Sequence, residues 1–383
     1  MNQPIIQSLQ PYLQSVWEKS GYTKLTAIQE RAIPAIVEGR DIIAQSPTGS
    51  GKTLAYLLPI LDQIDPASSH LQAAVLAPSR ELVMQIFEEA QKWAEGSSIR
   101  IASLVGGANV KRQLEKLKKK PHLIIGTPGR LHELIQIKKL KMHEVKIIVL
   151  DEGDQLLSPE HLPTVRTIVK SAMNDRQLIL FSATTLQEPE TFEVMINRKA
   201  EQMAIQDETD GEDSTEHLYI TCEHREKAKL LERIAKAKYG KTLAFVKDVG
   251  SMNVLAEKLK YEGVSFGLLH SDLRKEERER SLTQLRNGVA DLLLATDVAA
   301  RGLDVEGLDY VVHYDFPSSI EQYIHRSGRT GRMGAAGTVI SLVSPREERE
   351  LRKYGRELSV QPKKARLYKG EIINFEDKDG MQV

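Results

Sequence analysis

Short runs of Val, Ile and Leu alternate along the chain with longer stretches of helical periodicity. Apolar runs at residues 41–44, 73–77, 101–105, 122–126, 146–150 and 177–181 read as strands, and the patterns at 54–64 and 80–94 read as helices. The alternation resumes later, with strands expected at 242–246, 264–269, 291–295, 310–313 and 338–343 and helices at 252–261, 275–286 and 346–358. Continuous apolar strands are those buried on both faces, and strands alternating with helices indicate a parallel sheet covered on both sides. Residues 206–216 read QDETDGEDSTE. A stretch so acidic and so poor in apolar residues has too little to bury, and a flexible, solvated linker is expected there. The pattern therefore predicts an α/β chain with domains at 1–205 and 217–361, joined by the linker 206–216 and followed by a short tail, 362–383.

Composition narrows the class. The 383 residues suit two domains of ordinary size, and 41% hydrophobic with 28% charged residues is a globular balance. No apolar run approaches the roughly 20 residues that span a bilayer. The first residues lack the basic-then-apolar order of a secretory signal. A cytoplasmic location with no membrane partner is expected. One cysteine, Cys222, excludes an internal disulfide framework and a cysteine-based zinc site. The chain carries 53 basic and 53 acidic residues, so it lacks the net basic excess of many nucleic-acid binders. Any phosphate ligand must then meet a segregated basic face or backbone N–H groups.

The sharpest local signal is SPTGSGKT, Ser46 to Thr53, directly after an expected strand and before an expected helix. Strand, glycine-rich loop and helix are the context of a phosphate-binding loop. Ser46, Thr48, Gly49, Ser50 and Gly51 form the loop. Its glycines let backbone N–H groups converge on phosphates, and the helix N-terminus adds a favourable field. Lys52 is placed to reach the β- and γ-phosphates of ATP, and the Thr53 hydroxyl to ligate Mg²⁺. Ser46 stands where the motif has glycine. Further on, the run KIIVL leads into Asp151-Glu152-Gly153-Asp154. Alone, an acidic tetrapeptide is an ordinary turn. Paired with a phosphate loop it suits an ATPase, with Asp151 on Mg²⁺ and Glu152 orienting or deprotonating the attacking water.

With these motifs the chain resembles the DEAD-box ATP-dependent RNA helicases, and the resemblance runs from about Gly21 to Leu342. It implies two tandem RecA-like P-loop domains, each a mainly parallel sheet with helices on both faces. GYTKLTAIQ resembles the family's Q motif, which places Tyr22 on the adenine face and Gln29 at its edge, with Leu25 where proline is usual. Pro78 and Arg80 in PSRELVMQ, the pair Gly106-Gly107, and Thr127-Pro128-Gly129-Arg130 resemble the RNA-backbone motifs. Ser182-Ala183-Thr184 resembles the motif that couples hydrolysis to strand separation, its hydroxyls expected on Asp154.

In the second half, TDVAARGLD and HRSGRTGR also resemble family motifs, which implies Thr296 on RNA, Asp304 on the ribose, and Arg329 and Arg332 on the γ-phosphate. Phe245 and the segment His270-Ser271-Asp272 are weaker matches, and Gly153 replaces the family's alanine. The implied function is RNA-dependent ATP hydrolysis with Mg²⁺ and local unwinding or remodelling of RNA, through backbone contacts of little sequence specificity. The expected setting is ribosome assembly or RNA turnover, with pre-ribosomal particles or a specificity protein as partners. The alternative is an ATP-gated RNA clamp or assembly platform that unwinds little.

Overall fold

In the computed structural model the described residues are 3–47, 49–107, 109–184, 186, 188–205, 215–237, 240–270, 272–300, 307–331, 336–358, 360–368 and 371–374. Thr48, Ser271, Asp304 and Arg332, named above, lie outside them, as do residues 206–214. The chain divides into two compact units, Met1–Glu208 and Thr209–Val383. Among the described residues, no helix is long and apolar enough to cross a membrane.

Unit 1 holds β1 (Ile42–Gln45), β2 (Ala73–Leu76), β3 (Ile101–Leu104), β4 (Leu123–Gly126), β5 (Ile147–Asp151), β6 (Gln177–Ser182) and β7 (Glu201–Ala204). They form one parallel sheet in the order β3-β4-β2-β5-β6-β1-β7. Successive side chains leave a strand on opposite faces, so a run without polar alternation feeds two cores at once. In β2, Ala73 and Val75 join one buried cluster while Ala74 and Leu76 join the other. In β6, Ile179 and Phe181 go one way and Leu178 and Leu180 the other. Helices cover both faces, which is the layered α/β arrangement expected.

Unit 2 holds β8 (Thr215–Thr221), β9 (Thr242–Phe245), β10 (Phe266–Leu269), β11 (Leu292–Ala295), β12 (Tyr310–His313), β13 (Gly337–Val343), β14 (Lys363–Tyr368) and β15 (Glu371–Asn374). The sheet order is β10-β11-β9-β12-β13-β8-β14-β15, parallel except for the antiparallel pair β14-β15. Here too β11 divides its residues, Leu292 and Leu294 to one cluster and Leu293 and Ala295 to the other.

The differences from expectation lie at sheet margins. Thr215 and Glu216, read as the end of the linker, begin β8 and pair with Gly337 and Thr338. The tail adds β14 and β15 to the sheet's edge. The edge strand β7 buries only Met203. Such strands are held by backbone pairing, which leaves little trace in hydrophobicity.

Candidate active site

In unit 1 the expected motifs, apart from the segment of Tyr22 and Gln29 that precedes β1, follow C-terminal ends of parallel strands, where ligands of open α/β sheets bind. After β1, the Ser46 N–H donates to the Ser182 carbonyl, extending the pairing with β6 into the loop. Gly49 and Gly51 then take φ of 83° and 90°, a left-handed turn that favours glycine. Ser46 is fully buried, and its Oγ donates to Ser50 Oγ at 2.7 Å, which donates to the Pro47 carbonyl at 2.7 Å. The serine that replaces the motif's glycine thus staples the loop from within. Lys52, the first residue of the helix Lys52–Gln63, donates to the carbonyls of Ser46 at 2.5 Å and Pro47 at 3.0 Å.

Gln29 is buried at the start of the helix Ala27–Val37. Its Oε1 accepts from the Thr26 N–H at 3.0 Å and its Nε2 donates to the Gly51 carbonyl at 3.1 Å. A Cβ on Gly51 would meet Gln29 Nε2 at 2.5 Å. Gln29 therefore ties its own helix N-terminus to the phosphate loop, and its amide retains a second N–H and a second lone pair. Tyr22 is stacked parallel to Trp93, with centroids 6.4 Å apart, and tilted against Trp17. At 37% exposure it still presents part of its ring to solvent.

The carboxylates stand at the end of β5. Asp151 Oδ1 accepts from the Glu152 N–H at 3.0 Å, and Oδ2 accepts from the Tyr56 hydroxyl at 2.8 Å. Burial, and then the charge of Glu152, push the Asp151 carboxyl up to about 6, while Tyr56 and Lys52 pull it down. Burial beside Asp151 raises the Tyr56 phenol well above its ordinary value, so it stays a donor. Glu152 has φ of 53°, uncommon for a side-chain-bearing residue, and its Oε2 accepts from Gln155 Nε2 at 3.1 Å.

A Cβ on Gly153 would fall 2.4 Å from Leu180 Cγ. The methyl group missing from this position is space that Leu180 of β6 fills. Asp154 Oδ2 accepts from Thr184 Oγ1 at 2.8 Å, while Ser182 Oγ donates to the Thr184 carbonyl at 2.7 Å. The β5–β6 register, with Asp151 opposite Phe181, brings these two segments side by side.

The remaining motifs of unit 1 gather partly. Ser79 caps the helix Arg80–Trp93 beside Pro78, and a Cβ on Gly107 would lie 2.0 Å from Arg80 Nη2. Arg80 thus lies across the Gly106-Gly107 turn. Thr127 precedes the helix Pro128–Gln136 and its hydroxyl makes no cap. Gly129 is exposed, with nothing within 4 Å of a Cβ, so its surroundings do not demand glycine. Arg130 departs from an exposed RNA contact: it is 5% exposed and pairs with Glu133.

In unit 2, Thr296 is buried after β11, and its N–H donates to the Leu269 carbonyl. Arg329 is buried and donates from Nε to the His325 carbonyl at 3.1 Å. Between them lies a pair that motif reading passed over. Arg326 Nε and Nη2 donate to Asp297 Oδ1 and Oδ2 at 2.6 and 2.7 Å. Gln322 also donates to Asp297 Oδ2, and the guanidinium sits 5.0 Å from the centroid of the buried Phe245 ring.

Residues 26–192 match the family model described as DEAD/DEAH box helicase, and residues 226–334 the helicase conserved C-terminal domain. The chain is 50% identical over 367 residues to the probable ATP-dependent RNA helicase YfmL of Bacillus subtilis, covering 96% of this chain and 97% of that one. The chain belongs to the DEAD-box ATP-dependent RNA helicases. DEAD-box helicase CshC of Bacillus cereus is 47% identical, covering 98% and 96% of the two chains. Among solved structures, S. cerevisiae Dbp5 bound to RNA and ADP BeF3 is 32% identical with a TM-score of 0.85, covering 93% and 94%. As a DEAD-box helicase this chain hydrolyses ATP, and its tandem sheets are the RecA-like pair of that family.

Two features of this helicase escaped the motif reading. Tyr56 has a signal in hindsight: it lies four residues after Lys52 and three after Thr53, on one helix face. Asp297 and Arg326 head the two motifs of unit 2 with opposite charges, but nothing in the sequence says that they meet.

Proposed function

We propose that the side chains at the strand ends of unit 1 form the hydrolytic centre, with Lys52 on the β- and γ-phosphates, Asp151 and Thr53 toward Mg²⁺, and Glu152 on the attacking water. The donor set fits that cation: a desolvated carboxylate, held by Tyr56, and a hydroxyl are hard oxygen ligands. When bound, Mg²⁺ supplies neutralisation of phosphate charge. Lys52 adds positive charge from the protein side. Glu152 is held for proton transfer by its left-handed backbone and by Gln155. In the proposal Ser46, Thr48, Gly49, Ser50 and Gly51 cradle the phosphates, Gln29 and Tyr22 take the base, and Asp304 takes the ribose. Arg329 and Arg332 serve the γ-phosphate, where comparable arginines in phosphoryl transfer contribute on the order of 10³–10⁵ in rate.

RNA is the proposed polymer substrate, bound through its backbone at Pro78, Arg80, Gly106, Gly107, Thr127, Pro128, Gly129 and Thr296. The RNA present with the yeast relative supports this. Arg130, buried beside Glu133, is proposed with those residues. The observation that carries the reading is the Thr184–Asp154 hydrogen bond, a physical join between the nucleotide-side carboxylates and the segment at the end of β6. Loss of the γ-phosphate can reach the RNA-binding side through it. The proposed setting is the cytoplasm, in ribosome assembly or RNA turnover.

The test is RNA affinity measured with ADP and with a non-hydrolysable ATP analogue. Tighter binding with the analogue is expected, because ligands that favour the same state bind cooperatively. Equal affinities would overturn the coupling.

A further inference from the structure

The chain as a whole is neutral, with 53 bases and 53 acids, but one face of unit 2 is not. The helix Pro345–Glu357 buries Leu351, Tyr354 and Gly355 against the sheet, beside β8 and β13. With 3.6 residues per turn, the positions opposite that buried stripe are Arg346, Arg349, Arg352, Lys353 and Arg356. Every one of them is exposed, and every one is a cation. The acids of the helix lie elsewhere. Glu347 binds back to Ser344, Glu348 accepts from Tyr219, Thr221 and the Arg352 guanidinium, and Glu350 and Glu357 sit along one margin.

At the other margin the charge continues onto the sheet. Arg352 Nη2 donates to the Tyr219 hydroxyl at 2.6 Å, and its guanidinium lies 5.6 Å from that ring's centroid. Lys364 of β14 is the register partner of Tyr219, so it leaves the sheet on the same side. The two-residue period of a strand puts Arg366 and Tyr368 on that side too. Tyr368 is 49% exposed, with the Arg366 guanidinium 5.6 Å from its centroid.

Cations in a row with an exposed aromatic ring suit a nucleic-acid strand, phosphates on the charges and a base on the ring. A protein partner fits less well, since the fully buried core of a protein interface is mostly apolar and depleted of charge. Past Pro345 at its N-terminus, the outward arc of this helix holds no apolar residue. We propose that this face binds the RNA phosphodiester backbone, apart from the motif residues, and gives unit 2 a hold on RNA that does not depend on the nucleotide. The proposal rests on the RNA-binding reading above.

The test is fluorescence anisotropy of the full chain with ADP against a hairpin RNA bearing a single-stranded extension, across a potassium chloride series. The variant Arg349→Gln/Arg356→Gln removes two solvent-facing charges, and Lys364→Gln/Arg366→Gln repeats the test from the strand. Each should weaken binding several-fold, and losing two phosphate contacts should make the log–log salt slope shallower by about 1.5. ATP turnover at saturating short single-stranded RNA should stay at the wild-type value, which separates failure here from failure of the helicase reading. Unchanged affinity and slope in both variants would overturn the proposal. So would loss of binding to an acidic polypeptide such as poly-glutamate with the RNA slope intact.

Discussion

The two units place functional side chains at the same ends of their parallel strands but fix their carboxylates by different chemistry. In unit 1, Asp151 and Asp154 accept from the hydroxyls of Tyr56 and Thr184. In unit 2, Asp297 is gripped by both arms of the Arg326 guanidinium. A hydroxyl orients a carboxylate without itself cancelling the negative charge, while a bidentate arginine cancels it. The carboxylates of unit 1 are therefore oriented yet still able to attract a cation or to feel a phosphate leave. Asp297 is spent on structure, and it holds the start of one motif against the helix that carries the next.

Breaking each arrangement should give distinguishable results. The largest effect is expected for Glu152→Gln, which keeps shape and removes the proposed base. RNA-stimulated ATP hydrolysis should fall by about 10²–10⁴-fold while ATP still binds. Steady-state turnover beside a nucleotide-binding titration checks it, and retained turnover would remove Glu152 from its role. Next, Arg326→Ala strands Asp297 without its partner and should cost about 3–5 kcal/mol in the unfolding of unit 2. Denaturant unfolding followed by a probe in that unit would show a loss under 1 kcal/mol if the pair were incidental.

Gly153→Ala probes the packing beneath the carboxylates. Its methyl group would press on Leu180 and should cost about 1–3 kcal/mol, the usual price of overpacking a core. Leu180→Val in the same chain should recover part of that, and strictly additive effects would show that the two residues do not touch. Thr184→Val removes the donor to Asp154. Strand release per ATP should drop roughly tenfold, with hydrolysis less affected, for the loss of about 1–2 kcal/mol of hydrogen bonding. An unchanged ratio in a paired unwinding and hydrolysis assay would break the coupling. The smallest effect is expected for Tyr56→Phe, whose lost hydrogen bond of about 1 kcal/mol should raise the Mg²⁺ concentration needed for half-maximal nucleotide binding a few-fold. An unmoved Mg²⁺ titration would make the Tyr56 hydroxyl a packing feature only.

Much of this was legible without coordinates. The burial of β2, β5 and β6 on both faces wrote itself as unbroken apolar runs, because a strand between two helical layers has no solvent side. The phosphate loop was legible because its chemistry is local: two left-handed glycines, a lysine and a threonine act within one turn of chain. Less legible were β7, β14 and β15, whose positions at sheet margins rest on backbone bonds. The buried state of Arg130 was also hidden, since its charge reads the same whether it faces solvent or Glu133.

The sequence by itself determined the fold class, the family and the residues that act through their immediate neighbours. Tertiary structure decided which distant groups meet: Tyr56 with Asp151, Thr184 with Asp154, Arg326 with Asp297, and Tyr219 of β8 with Arg352 of the helix Pro345–Glu357. The reason is physical. Periodicity and loop chemistry are fixed within a few residues. Pairings between segments depend on strand order and register, which the chain acquires only when its apolar faces are buried together.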